Sequence, residues 1–157
     1  MDNMNNLIMN HINNRGLESE PICYIWEMNR LNSLQNWTMI KPSAKEMAQA
    51  GFYCPDQDTP DTVKCFSCFI ELDGWEPTDQ PWEEHRNRNL SAKPLCKFVE
   101  IGKEESDFTV NDFLDIQKTV ILRIFNKKYE TITKTALSNH KKKKSALKKE
   151  LKKIGYS

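Results

Sequence analysis

"CFSCFIELDGWEPTDQPWEEH", residues 65–85, places two thiols, one imidazole, two tryptophans and six carboxylates within a single short stretch. Cys65 and Cys68 form a C-x2-C pair, His85 follows after 16 intervening residues, and Cys96 after a further 10. A C-x2-C turn presents two sulfurs to one ion at about 2.3 Å, and zinc prefers four thiolate or imidazole ligands in a tetrahedron. The spacing therefore predicts one structural Zn2+ on Cys65, Cys68, His85 and Cys96, with no coordination position left open for catalysis. The plainer alternative is a set of small buried thiols beside a core histidine. Cys23 and Cys54 fall outside the pattern and read as core residues.

Composition bounds what surrounds this quartet. With 157 residues, 38% of them hydrophobic, the chain has material for one modest core and an appendage. No apolar run reaches the roughly 18 residues of a membrane span. The start, "MDNMNNLIMNHINNRG", lacks the basic cluster and apolar block of a secretory signal. The expectation is an intracellular chain whose five cysteines stay reduced. Its formal charge of +1 hides a division. From Lys127 onward there are 11 lysines against Glu130 and Glu150, a net of +9, which leaves 12 basic and 20 acidic groups, a net of −8, before that point. An acidic body with a basic tail suggests two partners of opposite electrostatic preference.

Four regions follow from pattern. Residues 1–19 are Asn- and Met-rich without a sustained period and are expected to be disordered. Residues 20–100 hold the zinc domain, residues 101–108 a linker, and residues 109–154 a long helix with a basic end. Within the domain, Pro21 opens a short helix carrying Ile22, Ile25, Trp26, Met28 and Leu31. "SAKE", with Ser43 three residues before Glu46, reads as a capping box for a helix closed by Gly51. Short extended segments at 52–54, 62–66 and 69–72 precede the Asp73-Gly74 turn, and Pro81 opens the helix that carries His85. The fold class is α+β: short helices around a three-stranded antiparallel sheet, then one long C-terminal α-helix.

Together, "RLNSLQNW", "MAQAGFYC", "VKCFSC", "ELDGWEP" and "PWEEH" resemble the baculoviral inhibitor-of-apoptosis repeat (BIR) family over residues 30–98. "DFTVNDFLDI" lies where the single-repeat mitotic members of that family begin their long C-terminal helix. The resemblance implies a non-enzymatic adaptor of the chromosomal passenger complex. It implies a groove for an alanine-led peptide terminus, such as a histone tail, with Asp79 accepting the α-ammonium, Leu72 and Trp75 walling a methyl-sized pocket, and Asp73 holding a basic side chain. The plainer reading of those residues is a solvated acidic turn with one structural tryptophan. Ile70 stands where the family has a lysine, and Arg88 where it has a second phosphate-contacting histidine, so Arg88 alone would meet a phosphothreonine. Ten residues separate His85 from Cys96, where the family usually has six.

From Thr109, which pairs with Asp112 as a cap, no proline occurs up to Lys153, and the rod would be roughly 65 Å long. Its apolar stripe, including Phe113, Leu114, Val120, Ile121, Ile124, Phe125 and Ile132, exceeds what a small domain can cover. Residues 110–125 can fold back on the domain; the remainder calls for partner helices. The resemblance supplies them as borealin and the inner centromere protein, and implies nuclear, centromeric and spindle-midzone residence besides cytoplasm. The second function weighed is apoptosis inhibition, by capture of alanine-led pro-apoptotic termini or hindrance of caspases. A homodimer in the absence of partners is a further possibility. The lysine run "HKKKKSALKKELKK" reads either as a solvated face or as a patch for nuclear import, microtubules or nucleic-acid phosphate.

Overall fold

The computed structural model describes residues 21–91 and 95–155. The expectation for residues 1–19 lies outside them. By its contacts the chain divides into residues 1–121 and residues 122–157. The described part of the first unit runs through a 3-10 turn Pro21–Ile25, helices α1 (Glu27–Ser33) and α2 (Ala44–Gln49), strands β1 (Phe52–Tyr53), β2 (Val63–Cys65) and β3 (Glu71–Leu72), and helices α3 (Pro81–Ser91) and α4 (Lys97–Ile101). A second 3-10 turn, Glu105–Asp107, leads into α5 (Val110–Lys153). The three strands form one antiparallel sheet in the order β1-β2-β3, with Phe52 opposite Cys65 and Val63 opposite Leu72.

The α2 start obeys its sequence signature. Ser43 Oγ accepts from the Glu46 amide at 3.2 Å while the Glu46 carboxylate accepts from the Ser43 amide at 2.6 Å. At the other end Gly51 has φ +89°, and a Cβ there would stand 2.8 Å from the Phe98 ring. Only glycine combines that left-handed backbone with so close an approach. The β2–β3 connection departs from expectation at Phe69. It is not a strand residue but sits in the turn at φ 66°, where its amide donates to the Cys65 carbonyl and the Cys65 amide to the Ile70 carbonyl. That turn points both thiols of the C-x2-C pair the same way.

The single helix expected from Pro21 is also broken in two, and the cause is Arg30. Trp26 is extended (φ −89°, ψ 128°), which releases the carbonyls of Tyr24 and Ile25 from a helical ladder. Arg30 Nη1 donates to them at 2.9 and 2.8 Å, and its Nε donates to Ala48 O at 2.7 Å. The guanidinium, 1% exposed, lies 4.8 Å from the Phe66 ring centroid and pairs with the Glu105 carboxylate at 3.5 Å. Burial pulls its pKa down, to about 10, and Glu105 opposes the fall, so it is charged at neutral pH. Met47, Phe52, Val63, Phe66 and Phe98 complete the core around it, all fully buried.

Thr109 and Asp112 cap α5 reciprocally: Asp112 Oδ2 accepts from the Thr109 amide (3.0 Å) and hydroxyl (2.8 Å), and Thr109 Oγ1 accepts from the Asp112 amide (3.2 Å). Lys103 and these bonds hold the Asp112 carboxyl down, at about 2. In the first unit α5 buries Ile116 and Val120 and stacks Phe113 on Trp26 at 5.2 Å. In the second unit, Phe125, Tyr129, Ile132, Leu147 and Ile154 are exposed along the helix. No helix among the described residues is long and apolar enough to cross a membrane.

Candidate metal centre and peptide cleft

Four elements converge on the metal site. β2 ends on Cys65, the turn after it supplies Cys68, α3 supplies His85 from its first turns, and Cys96 stands at the N-cap of α4. Their ligand atoms all lie within 4.8 Å of one another. The Cys65–Cys96 sulfur separation is 3.9 Å and the distance from Cys68 Sγ to His85 Nε2 is 3.4 Å. A tetrahedral zinc requires sulfur–sulfur edges of about 3.8 Å and sulfur–nitrogen edges of about 3.5 Å. These two separations match those edges.

The surroundings orient each ligand. Ala50 O can only accept, so His85 Nδ1, 2.9 Å away, carries the proton and Nε2 turns its lone pair toward the sulfurs. The amides of Ser67 and Cys68 point at the Cys65 sulfur at 3.3 and 3.4 Å. Phe52 packs on the imidazole at 4.7 Å, and Phe98 stacks on Trp82 at 4.9 Å. Left to themselves the four groups conflict. Burial pushes the Cys65 thiol far up and a hydrogen bond with Cys65 pushes Cys68 up, while Cys96 is pulled down by hydrogen bonds from both. A dication removes the conflict by taking every sulfur as thiolate. Cys65, Cys68, His85 and Cys96 thus form a structural zinc site. Cys54, whose thiol faces the Asp56 carbonyl at 3.1 Å, is a buried core residue apart from it, and Cys23 is likewise buried.

The longer spacer before Cys96 leaves the four ligands within reach of one another. Part of it continues α3 as far as Ser91, while residues 92–94 lie outside the described residues.

A cleft beside the site is lined by Leu72, Asp73, Gly74, Trp75, Asp79, Glu84 and Arg88. Five of these are the residues assigned above to a peptide; Gly74 and Glu84 were not. Glu84 was legible in principle, being one helical turn before Arg88. Its carboxylate lies 3.7 Å from the Arg88 guanidinium, so the cation that would meet a phosphate already has an anionic neighbour. Asp79 Oδ2 accepts from the Glu76 amide at 2.8 Å, which fixes the carboxylate at the rim. Trp75 is braced edge-on by Phe52 at 5.6 Å and Trp37 at 6.4 Å, and its buried indole N–H has no hydrogen-bond partner among the described residues.

Of the residues expected on the partner face of the long helix, Leu114, Phe125 and Ile132 are exposed, and Ile121 and Ile124 are half-buried. Val120 and Phe113 sit elsewhere. Val120 is wholly buried within the first unit and Phe113, half-buried, stacks on Trp26, because the first turns of α5 pack against the domain.

A small sheet ringed by short helices and stapled by a Cys3His quartet defines a BIR-type zinc domain. Residues 30–100 match the Inhibitor of Apoptosis (BIR) domain family. Baculoviral IAP repeat-containing protein 5 of Rattus norvegicus is 39% identical over 102 residues, 60% of this chain and 69% of the rat protein. Its namesake in Mus musculus is 36% identical over 124 residues, 71% of this chain and 86% of the mouse protein. A crystal structure of the autoinhibited dIAP1-BIR1 domain shares 30% identity over 49% of this chain and 73% of its own, with a TM-score of 0.42. The chain belongs to the BIR family, as a single-repeat, survivin-like member.

Proposed function

We propose that this chain is a non-enzymatic adaptor of the chromosomal passenger complex, acting in chromosome segregation and cytokinesis. Its cleft would read an alanine-led peptide terminus of the histone-tail kind, and its long helix would dock to borealin-like and inner-centromere-protein-like helices. The observation that carries the reading is the cleft itself. Three carboxylates, of Asp73, Asp79 and Glu84, line it together with Leu72 and Trp75, a lining chemistry suited to an ammonium beside a methyl group. Membership of that complex would entail nuclear and centromeric residence.

The chemistry of the lining sharpens the reading. Among the described residues Arg88 is the one cation lining the cleft, and it already pairs with Glu84, so a phosphothreonine should add little to binding. The free α-amine should matter most. In calorimetric titration, N-acetylation of an alanine-led peptide, or Asp79→Ala, is expected to weaken binding roughly ten- to hundred-fold, the equivalent of a charge-assisted hydrogen bond. Glu84→Gln should raise whatever phosphate preference exists. Equal affinity for free and acetylated peptides would remove terminus reading from this cleft.

The same cleft would accept an alanine-led pro-apoptotic terminus, and the helix separates the two roles. Exposed Phe125 and Ile132 serve a helical bundle and have no use in capturing a peptide. On co-expression, Phe125→Asp with Ile132→Asp should abolish co-purification of the two partner helices while the domain keeps its zinc. Undiminished co-purification would place the interface elsewhere. Truncation before α5 is the poorer test, since it would strip Ile116 and Val120 from the core.

A further inference from the structure

The lysines of the second unit are not spread around its helix. At about 100° per residue, Lys127, Lys134, Lys141 and Lys148 recur in register every seven positions down one side, and Lys142, Lys144, Lys149, Lys152 and Lys153 flank them. Nine of the 11 lysines after residue 126 thus share one half of the cylinder; Lys128 and Lys143 are the exceptions. Leu122, Phe125, Tyr129, Ile132, Leu147, Leu151 and Ile154 fall within an arc of about 100° on the opposite side. Ile124 and Leu137 are the apolar residues that stray into the lysine half. Whatever covers the apolar arc leaves the lysine half in water.

We infer that this lysine half is a docking surface for the phosphodiester backbone of duplex nucleic acid, read by charge and not by sequence. Three observations select that partner. From Lys141 to Lys153 the helix advances about 18 Å, and a duplex offers about ten phosphates over that distance. Density of charge is therefore matched to density of charge. The surface is built of lysine alone, with no arginine after Arg123. Lysine is a point charge indifferent to register, whereas recognition of a carboxylate partner draws the arginine fork. Finally, no aromatic residue lies among the lysines, since Tyr129 sits on the apolar arc, so bases cannot stack and contact stops at the backbone. A membrane surface fits less well because the apolar residues face directly away from the charge that would hold it there.

The test is fluorescence anisotropy of the full-length, zinc-loaded chain with labelled 20-base-pair DNA duplexes of two unrelated sequences, titrated from 50 to 200 mM salt. With about five phosphates neutralised, the log–log salt slope should be near −4.5 and affinity should fall about 500-fold across that range. The two sequences should bind within about two-fold of each other. Replacing Lys141, Lys142, Lys148, Lys149 and Lys152 with Gln should flatten the slope and abolish binding, with circular dichroism confirming that the helix persists. Lys143→Gln, on the other side, should change affinity less than two-fold, roughly one exposed charge at a distance. An RNA duplex in parallel assigns the preferred backbone. A slope near zero, an equal loss from Lys143→Gln alone, or binding to phosphatidylserine vesicles without binding to either duplex would overturn the assignment.

Discussion

Cys65→Ser should strip the zinc and unfold the domain. Structural zinc contributes on the order of 10 kcal/mol to small metallo-domains, comparable to or greater than the entire stability of a typical fold. Cys65 ends β2, opposes Phe52 across the sheet and receives two backbone amides, so losing its thiolate removes a metal ligand and disorganises the turn that presents Cys68. Metal analysis should find one zinc per chain in the parent and none in the variant, whose thermal transition should disappear. A strong chelator should reproduce the effect in the parent. Mild acid should do so too, because protons compete for the thiolates and the imidazole. Cys54→Ser is the control, expected to keep one zinc because its thiol bonds to the Asp56 carbonyl and lies outside the quartet. A Cys65→Ser protein that remains folded without metal would refute the structural role.

Arg30→Ala should cost about 3–5 kcal/mol, the second-largest loss expected from a single change. The substitution leaves the Tyr24 and Ile25 carbonyls without the Arg30 donor, the Ala48 carbonyl with the Gly51 amide alone, the Glu105 carboxylate without its cation, and a void between Phe66 and Phe98. Each abandoned buried acceptor costs on the order of 1 kcal/mol or more before the void is counted. Urea unfolding of the zinc-loaded protein measures the loss directly. Arg30→Lys separates charge from geometry: an ammonium keeps the charge but cannot span three carbonyls set around a planar fork, so it should recover less than half of the lost stability. A loss below about 1 kcal/mol for Arg30→Ala would mean that the bend at Trp26 is held by something else.

The two predictions rest on residues of very different legibility. Zinc ligation was readable because coordination chemistry restricts both residue type and local spacing, and two of the four ligands sit within one turn. Capping was readable at Ser43 and at Thr109 for the same reason: a cap is a contact between residues three apart, and its geometry is settled locally. Charge was readable as well, since nine lysines on one side of a helix are a matter of counting and period.

Arg30 was not readable. Nothing near it in sequence indicates that its guanidinium will find Ala48, 18 residues on, and Glu105, 75 residues on. Nor could local pattern show that the helix from Pro21 must break at Trp26 to free two carbonyls, because helical spacing of apolar residues is blind to a buried donor that competes for the ladder. Glu84 beside Arg88 needed the cleft to be seen before its charge mattered. The division of the long helix is the same kind of case. Phe113, Val120, Phe125 and Ile132 are alike as sequence, each apolar at a helical step. Tertiary packing alone decided that Val120 enters this domain's core and Phe113 stacks half-buried on Trp26 while the last two stay exposed, since burial depends on what stands opposite a side chain.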